Sequence, residues 1–310
     1  MNDEKGVSSS TENHGDSSLQ MKASSKPLSS VSISVPGTTA NVGPGFDSFG
    51  IALGVANKVT VSLKRPATPH PAIVQEAAES FFLGSGLTPF EFSWKISGKV
   101  PQARGLGSSV TVRLGILMGL NALAGSPVSR NGLFRLCAEL EGHPDNAAPA
   151  MFGGFTIARS SLDPVRYAVS PALRFVLLIP DFEVATPDAR RVMPKSIAIS
   201  EAAANAADAA VIAAAFATKN YKLLRGCFGD RLHQPFRAPL VPFLDQVIKA
   251  GEEAGAIGGW LSGSGSTICC LAPDAKSSVK IADAMRSKAS KGSIAMICIP
   301  DNKGAFFSKA

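Results

Sequence analysis

The sequence predicts a mixed α/β protein. Runs with period-2 alternation and runs with helical periodicity follow one another in both halves of the chain. Glycine-rich stretches stand where a strand hands over to a helix, the pattern of a loop that does chemistry. With 310 residues and a 45% hydrophobic composition, the chain can bury one large core or two modest ones.

Residues 1–30 are rich in Ser and Lys and nearly free of large apolar residues, so a disordered tail is expected there. It lacks the apolar core of a secretory signal, and Asp3, Glu4, Glu12 and Asp16 argue against an acid-poor transit peptide. Order begins with an alternating strand, Val31 to Val35, ended by Pro36-Gly37. The loop Thr38 to Asp47 then gathers two glycines, a proline, Asn41 and Asp47; local loop capping is the plain alternative for both polar residues. Lys58 to Lys64 reads as a second strand, Ala72 to Phe82 as an amphipathic helix, and Phe90 to Ile96 as a third strand.

That strand leads into Val100-Pro101-Gln102-Ala103-Arg104-Gly105-Leu106-Gly107-Ser108-Ser109, followed by a helical run from Val110 to Ala124. Glycines let a backbone approach an anion closely, and a helix start adds free N–H groups and a favourable dipole. The plain alternative is a tight turn with Ser108 or Ser109 as an ordinary helix cap. A second helix from about Ser129 ends at Glu141-Gly142-His143-Pro144-Asp145-Asn146, four polar or ionisable side chains in six residues before Gly153-Gly154. Singly they read as a solvated helix end, a turn histidine and an N-cap at Asp145; together they suggest a metal and substrate cluster.

The second half opens with a strand, Phe175 to Ile179, and a helix capped by Thr186 with Pro187 at its first position. A long Ala-rich helix spans Ser196 to Thr218, Asp230 to Arg237 is dense in donors and acceptors, and Gly258 to Thr267 is a second glycine-serine loop between apolar strands. No run approaches the roughly 18 uninterrupted apolar residues of a membrane span. Five cysteines, Cys137, Cys227, Cys269, Cys270 and Cys298, are scattered without a Cys-x-x-Cys pair, so a reducing, cytoplasmic setting is expected. Lys and Arg exceed Asp and Glu by 31 to 24 without an aromatic-laced basic block, which suits an anionic substrate and not nucleic acid.

Six motifs in this order, Ala40 to Asp47, Pro101 to Ser109, Glu141 to Asn146 with Pro149 and Gly153-Gly154, Thr186 to Arg190, Asp230 to Arg237 and Ser262 to Gly265, resemble the homoserine kinases of the GHMP kinase superfamily. The resemblance covers about residues 31–300. It implies an α/β (α+β) two-domain GHMP kinase fold: after the tail, an N-terminal ribosomal-S5-like ATP-binding domain over 31–160 and a C-terminal α/β sandwich domain over 161–310. The implied reaction is ATP-dependent phosphorylation of the side-chain hydroxyl of L-homoserine to O-phospho-L-homoserine, in threonine biosynthesis. Homodimers are common in the family.

By the same resemblance, Pro101, Arg104, Gly105, Leu106, Gly107, Ser108 and Ser109 wrap the ATP phosphates, and Glu141 with Ser108 holds Mg²⁺. Asp47 takes the substrate amino group, Arg190 and Arg237 its carboxylate, and Asn41, His143 and Asp145 lie near the attacking hydroxyl. Several sister kinases carry an aspartate base seven residues before the glycine pair, a position filled here by Asn146. An amide cannot accept that proton, so positioning is expected to activate the alcohol, with Asp145 as the neighbouring carboxylate. The chain departs from the family at Val110, Thr111 and Arg113, at Ala72-Ile73-Val74 where an asparagine opens the adenine-side helix, and at Ser266. The alternatives are a GHMP kinase for another small alcohol and a homologue that binds ligand without turnover.

Overall fold

The structure, a computed structural model, describes residues 28–159 and 162–308. The expected disordered tail lies outside the described residues up to position 27. In chain order the elements are β1 (Ser30–Ala40), β2 (Phe49–Ser62), α1 (Ala72–Ser85), β3 (Ser93–Gly98), α2 (Ser108–Leu123), α3 (Arg130–Glu141), α4 (Ala147–Phe152), β4 (Phe155–Arg159), β5 (Leu162–Tyr167) and β6 (Arg174–Ile179). Then follow α5 (Thr186–Arg191), α6 (Ile199–Thr218), α7 (Gln234–Arg237), α8 (Leu244–Glu253), β7 (Gly258–Leu261), β8 (Ile268–Ala272), α9 (Ala275–Ser287), β9 (Ile294–Cys298) and β10 (Phe306–Ser308).

The first sheet has the order β10-β1-β2-β4-β5, with β3 pairing the far end of β2. The second has the order β7-β8-β6-β9, and every pairing in both is antiparallel. Helices α1 to α4 cover one face of the first sheet over Ile33, Val35, Val59 and Val61. Between the sheets, Ile51, Leu53 and Phe155 meet Phe175, Leu177, Trp260 and Leu271, with Ile212 and Phe216 of α6 closing the side. On the outer face of the second sheet, α8 and α9 bury Val176, Leu178, Ile268 and Cys270. Alternation along each strand thus feeds two separate cores.

Pro36-Gly37 does not end the first strand. β1 runs on to Ala40, with a shift of register between Pro36 and Thr38. The interruption re-aims the strand pair: in β2, Ile51 and Leu53 face the core between the sheets, whereas Val59 and Val61, of the same parity, face the helices. For the same reason β2 begins at Phe49, nine residues before the alternating run that signals it. Membership of the sheets does not divide at residue 160. β5 pairs with β4, and β10 returns to pair with β1.

Thr186 is the first helical residue of α5 and makes no cap bond; Ala185 is the cap. Asp145 likewise does not cap α4, which begins after Asn146. α6 is long and apolar enough by length and composition to span a membrane, because alanine counts as apolar, although Asn205 and Asp208 interrupt its apolar run. Its polar residues are tied into the fold. Asn205 donates to the Pro44 carbonyl and accepts from the Arg231 N–H, and Asp208 pairs with Arg231.

Candidate active site

The polar motifs converge on a cleft of about 410 Å³. One end is the glycine loop. Gly105 (φ +71°) and Gly107 (φ +66°) both take the left-handed conformation. A Cβ on Gly105 would lie 2.2 Å from the Ser262 carbonyl, and one on Gly107 would lie 2.2 Å from Thr38 Oγ1. No side chain fits at either position. Gly107 is itself the cap of α2, with no side-chain cap bond, so the serine-cap alternative is excluded. The uncapped start of a 16-residue helix therefore forms this wall, a favourable place for negative charge.

Three side chains of the loop have their partners outside the cleft. Arg104 leaves the loop for the turn after β6: Nε donates to the Pro180 carbonyl (3.1 Å), Nη2 to the Asp181 carbonyl (3.2 Å), and Nη1 pairs with Glu183 (2.9 Å). Its long side chain follows the closest acceptors, across the join between the two sheets. Leu106 packs into the core between the sheets and is 1% exposed. Pro101 does not line the cleft.

Glu141, at the end of α3, accepts from Ser109 Oγ (2.8 Å) and from Arg113 Nη1 (2.8 Å). Arg113 also donates to the Leu140 carbonyl (2.7 Å) and to Glu76 on α1 (2.9 Å). Burial works against the Arg113 charge, but the Glu141 and Glu76 carboxylates outweigh it and its pKa rises. Of the two loop serines, Ser109 and not Ser108 bonds to Glu141. Ser108 Oγ turns back to accept from the Ala103 N–H (3.4 Å), and Ser109 is the loop serine on Glu141. Successive helical positions differ by about 100° in direction, so one residue decides which serine faces α3.

The opposite end is held by side chains. Asn41 (φ +57°) accepts from the Asp47 N–H (2.8 Å) and donates to the Gly263 carbonyl (2.9 Å). Asp47 and Arg190 form a two-pronged pair, 2.7 Å on each arm. Arg237, 2% exposed, donates to the Ala189 carbonyl (3.1 Å) and the Gly263 carbonyl (3.1 Å). Burial, then the Arg190 charge, pulls its pKa down to about 10, so it stays charged at neutral pH. His143 Nδ1 lies 2.6 Å from Asp145 Oδ1. Burial opposes its charge, yet the Asp145 carboxylate carries its pKa above the usual value. Asn146 accepts from Thr38 Oγ1 (2.7 Å) and donates to Asp145 (3.2 Å), so both ends of its amide are engaged.

Asp47, His143 and Asp145 bring three ligand atoms within 4.8 Å of one another. Both Asp47 oxygens are on Arg190 and Asp145 Oδ1 is on His143, so this group is a network of ion pairs and hydrogen bonds. Gly263 lines the cleft and accepts from Asn41, and Thr38 supports it from behind by donating to Asn146.

The chain matches the GHMP kinases N terminal domain over residues 72–154 and the GHMP kinases C terminal domain over residues 212–291. It is 37% identical over 263 residues to a homoserine kinase of Carboxydothermus hydrogenoformans, covering 79% of this chain and 86% of that one. The chain belongs to the homoserine kinase family of the GHMP kinases. A second homoserine kinase, from Caldicellulosiruptor saccharolyticus, is 35% identical over 295 residues, 89% of this chain and 96% of the other. The crystal structure of homoserine kinase from Cytophaga hutchinsonii superposes with a TM-score of 0.84 at 28% identity, over 92% of this chain and 99% of that one. A mevalonate kinase structure, at 13% identity and a TM-score of 0.65, shares the fold. The two sheets with their helices are thus the GHMP kinase fold, and the chain is a kinase.

Proposed function

We propose that this GHMP kinase transfers a phosphoryl group from ATP to the side-chain hydroxyl of L-homoserine, giving O-phospho-L-homoserine for threonine biosynthesis. The observation that carries the reading is the polarity of one cleft. A backbone loop and helix start that suit phosphates face, across it, two arginines and an aspartate that suit a zwitterion. Arg190 and Arg237 take the carboxylate and Asp47 the ammonium group. The bidentate pair between Asp47 and Arg190 means that such a substrate meets both charges already aligned. A sugar offers no carboxylate for the buried Arg237 guanidinium, and mevalonate offers a carboxylate without the ammonium group that Asp47 would take.

Glu141 and Ser109 offer hard oxygen donors 2.8 Å apart beside the glycine loop, a set that suits Mg²⁺. When bound there, the ion would offset charge on the phosphates. The chain's own groups do the rest. The loop orients the phosphates through its N–H groups, and Asn41 fixes the turn that carries Asp47. Asn146 holds Asp145, which holds His143 against the cleft. With an amide engaged at position 146, the alcohol is activated by placement, which a loose phosphoryl transfer allows. All five cysteines are free thiols, in keeping with a reducing cytoplasm.

The reading is tested by ADP release with ATP and Mg²⁺ across L-homoserine, mevalonate, galactose and no acceptor. ADP formed with L-homoserine alone is expected. ADP formed equally with another alcohol, or with none of them, would remove it.

A further inference from the structure

The ring of Phe46 is not among the groups that face substrate, yet it touches each element that builds the carboxylate end of the cleft. Arg190 Cζ lies 5.1 Å and Arg237 Cζ 5.2 Å from its centroid. His233 stacks on the same ring at 5.2 Å with the planes 22° apart. The ring sits in the loop after β1, and its partners come from the end of α5 and from the two ends of α7.

Two guanidiniums held close to each other repel, and that repulsion is felt at Arg237, where the Arg190 charge adds to burial in weakening the proton's hold. An aromatic face attracts cations through its quadrupole, within about 6 Å of the centroid. Phe46 therefore offsets part of the repulsion at the place where it acts. His233 adds no charge there: it is fully buried, burial drives its pKa down to about 4, and its Nδ1 lies 3.4 Å from Arg237 Nη1. The residue after the ring, Asp47, holds the Nη1 and Nη2 edge of Arg190 through both carboxylate oxygens.

We propose that Phe46 is a positioning residue for carboxylate recognition, the shared platform that keeps the Arg190 and Arg237 guanidiniums side by side. On this assignment the preference for an amino acid over the matching amino alcohol passes through a side chain that need not touch either. The assignment rests on the reading of Arg190 and Arg237 as the carboxylate site.

The test compares kcat and KM for L-homoserine and for 3-aminopropan-1-ol, its decarboxylated analogue, with KM for ATP alongside. Phe46→Leu is expected to raise the KM for L-homoserine about tenfold and to cut the preference over the analogue by the same factor, with KM for ATP unmoved. Pentafluorophenylalanine placed at position 46 keeps the ring's shape and reverses its quadrupole, so the same loss is expected without any question of folding. Phe46→Tyr keeps the face and is expected to stay within about twofold of the unaltered protein. An unchanged preference in the leucine and fluorinated proteins overturns the proposal. So does an equal loss with both alcohols, the result of a merely structural ring. Absence of any preference in the unaltered protein instead removes the carboxylate reading, and it is seen before a variant is made.

Discussion

The two ends of the cleft are built by different means. At the phosphate end the working groups belong to the backbone: two left-handed glycines and a helix start without a side-chain cap line the cleft. At the carboxylate end they are side chains, Asp47, Arg190 and Arg237, brought together from positions 190 residues apart. A backbone site tolerates loss of side chains and fails when a side chain is added. A side-chain site behaves in the opposite way, and its groups, half-buried at Asp47 and Arg190 and fully buried at Arg237, hold as a network.

Variants can break that contrast. The largest effect is expected at the hinge between the two ends: Glu141→Gln should lower kcat about 10²- to 10³-fold, as for loss of one electrostatic group around a developing charge. A normal Mg²⁺ titration and turnover in this variant would remove Glu141 from the metal's ligands. Next, Arg237→Ala should raise the KM for L-homoserine at least about tenfold while KM for ATP stays put; equal changes in both would show that the ends are not separate. Gly105→Ala, by contrast, should spoil ATP binding and lower stability by about 2 kcal/mol, because the added Cβ meets two carbonyls of the 262–265 loop. Retained KM for ATP, measured beside urea unfolding, would contradict a backbone cradle.

A smaller effect concerns His233 and pH. Its folded pKa, about 4, lies below the ordinary histidine value, so the unfolded chain binds the extra proton between these limits. Stability is then full above about pH 6.5 and falls as pH drops toward 4, by up to about 3 kcal/mol. In His233→Asn the unfolding midpoint should lose less between pH 7 and pH 4.5; parallel slopes for both proteins would refute the burial argument. The smallest effect is expected from Ser108→Ala, since Ser108 turns toward Ala103 and away from Glu141. Kinetics within about twofold of the parent are expected there, and a clear rise in the Mg²⁺ requirement would restore Ser108 to the metal site.

The contrast also explains what could be read in advance. The glycine loop is legible because its function lies in consecutive residues: Gly105, Gly107 and the start of α2 are specified by local conformational preference. The arginines, Asp47 and the cluster at Glu141 to Asn146 were found through the order of motifs, which says that residues belong together without saying how they meet. Motif order therefore does not say that Ser109 is the serine on Glu141, that Arg104 reaches the turn after β6, or that the Leu106 side chain enters the core. Each of these depends on which way one side chain turns against an element far away in sequence. The strand bounds failed similarly at Pro36-Gly37, where pairing with β2 carries the strand through a pair of residues that would end it alone.

By itself, then, the sequence determined the class of fold, the anion-binding loop, the family and the set of residues around the site, because these rest on local preferences and on motif order. The tertiary structure alone decided which serine meets Glu141, that Arg113 ties Glu141 to Glu76, and that Arg190 and Arg237 share the ring of Phe46. Those choices are made by long-range packing, where one residue's rotation about a helix or one bulge in a strand changes the partner.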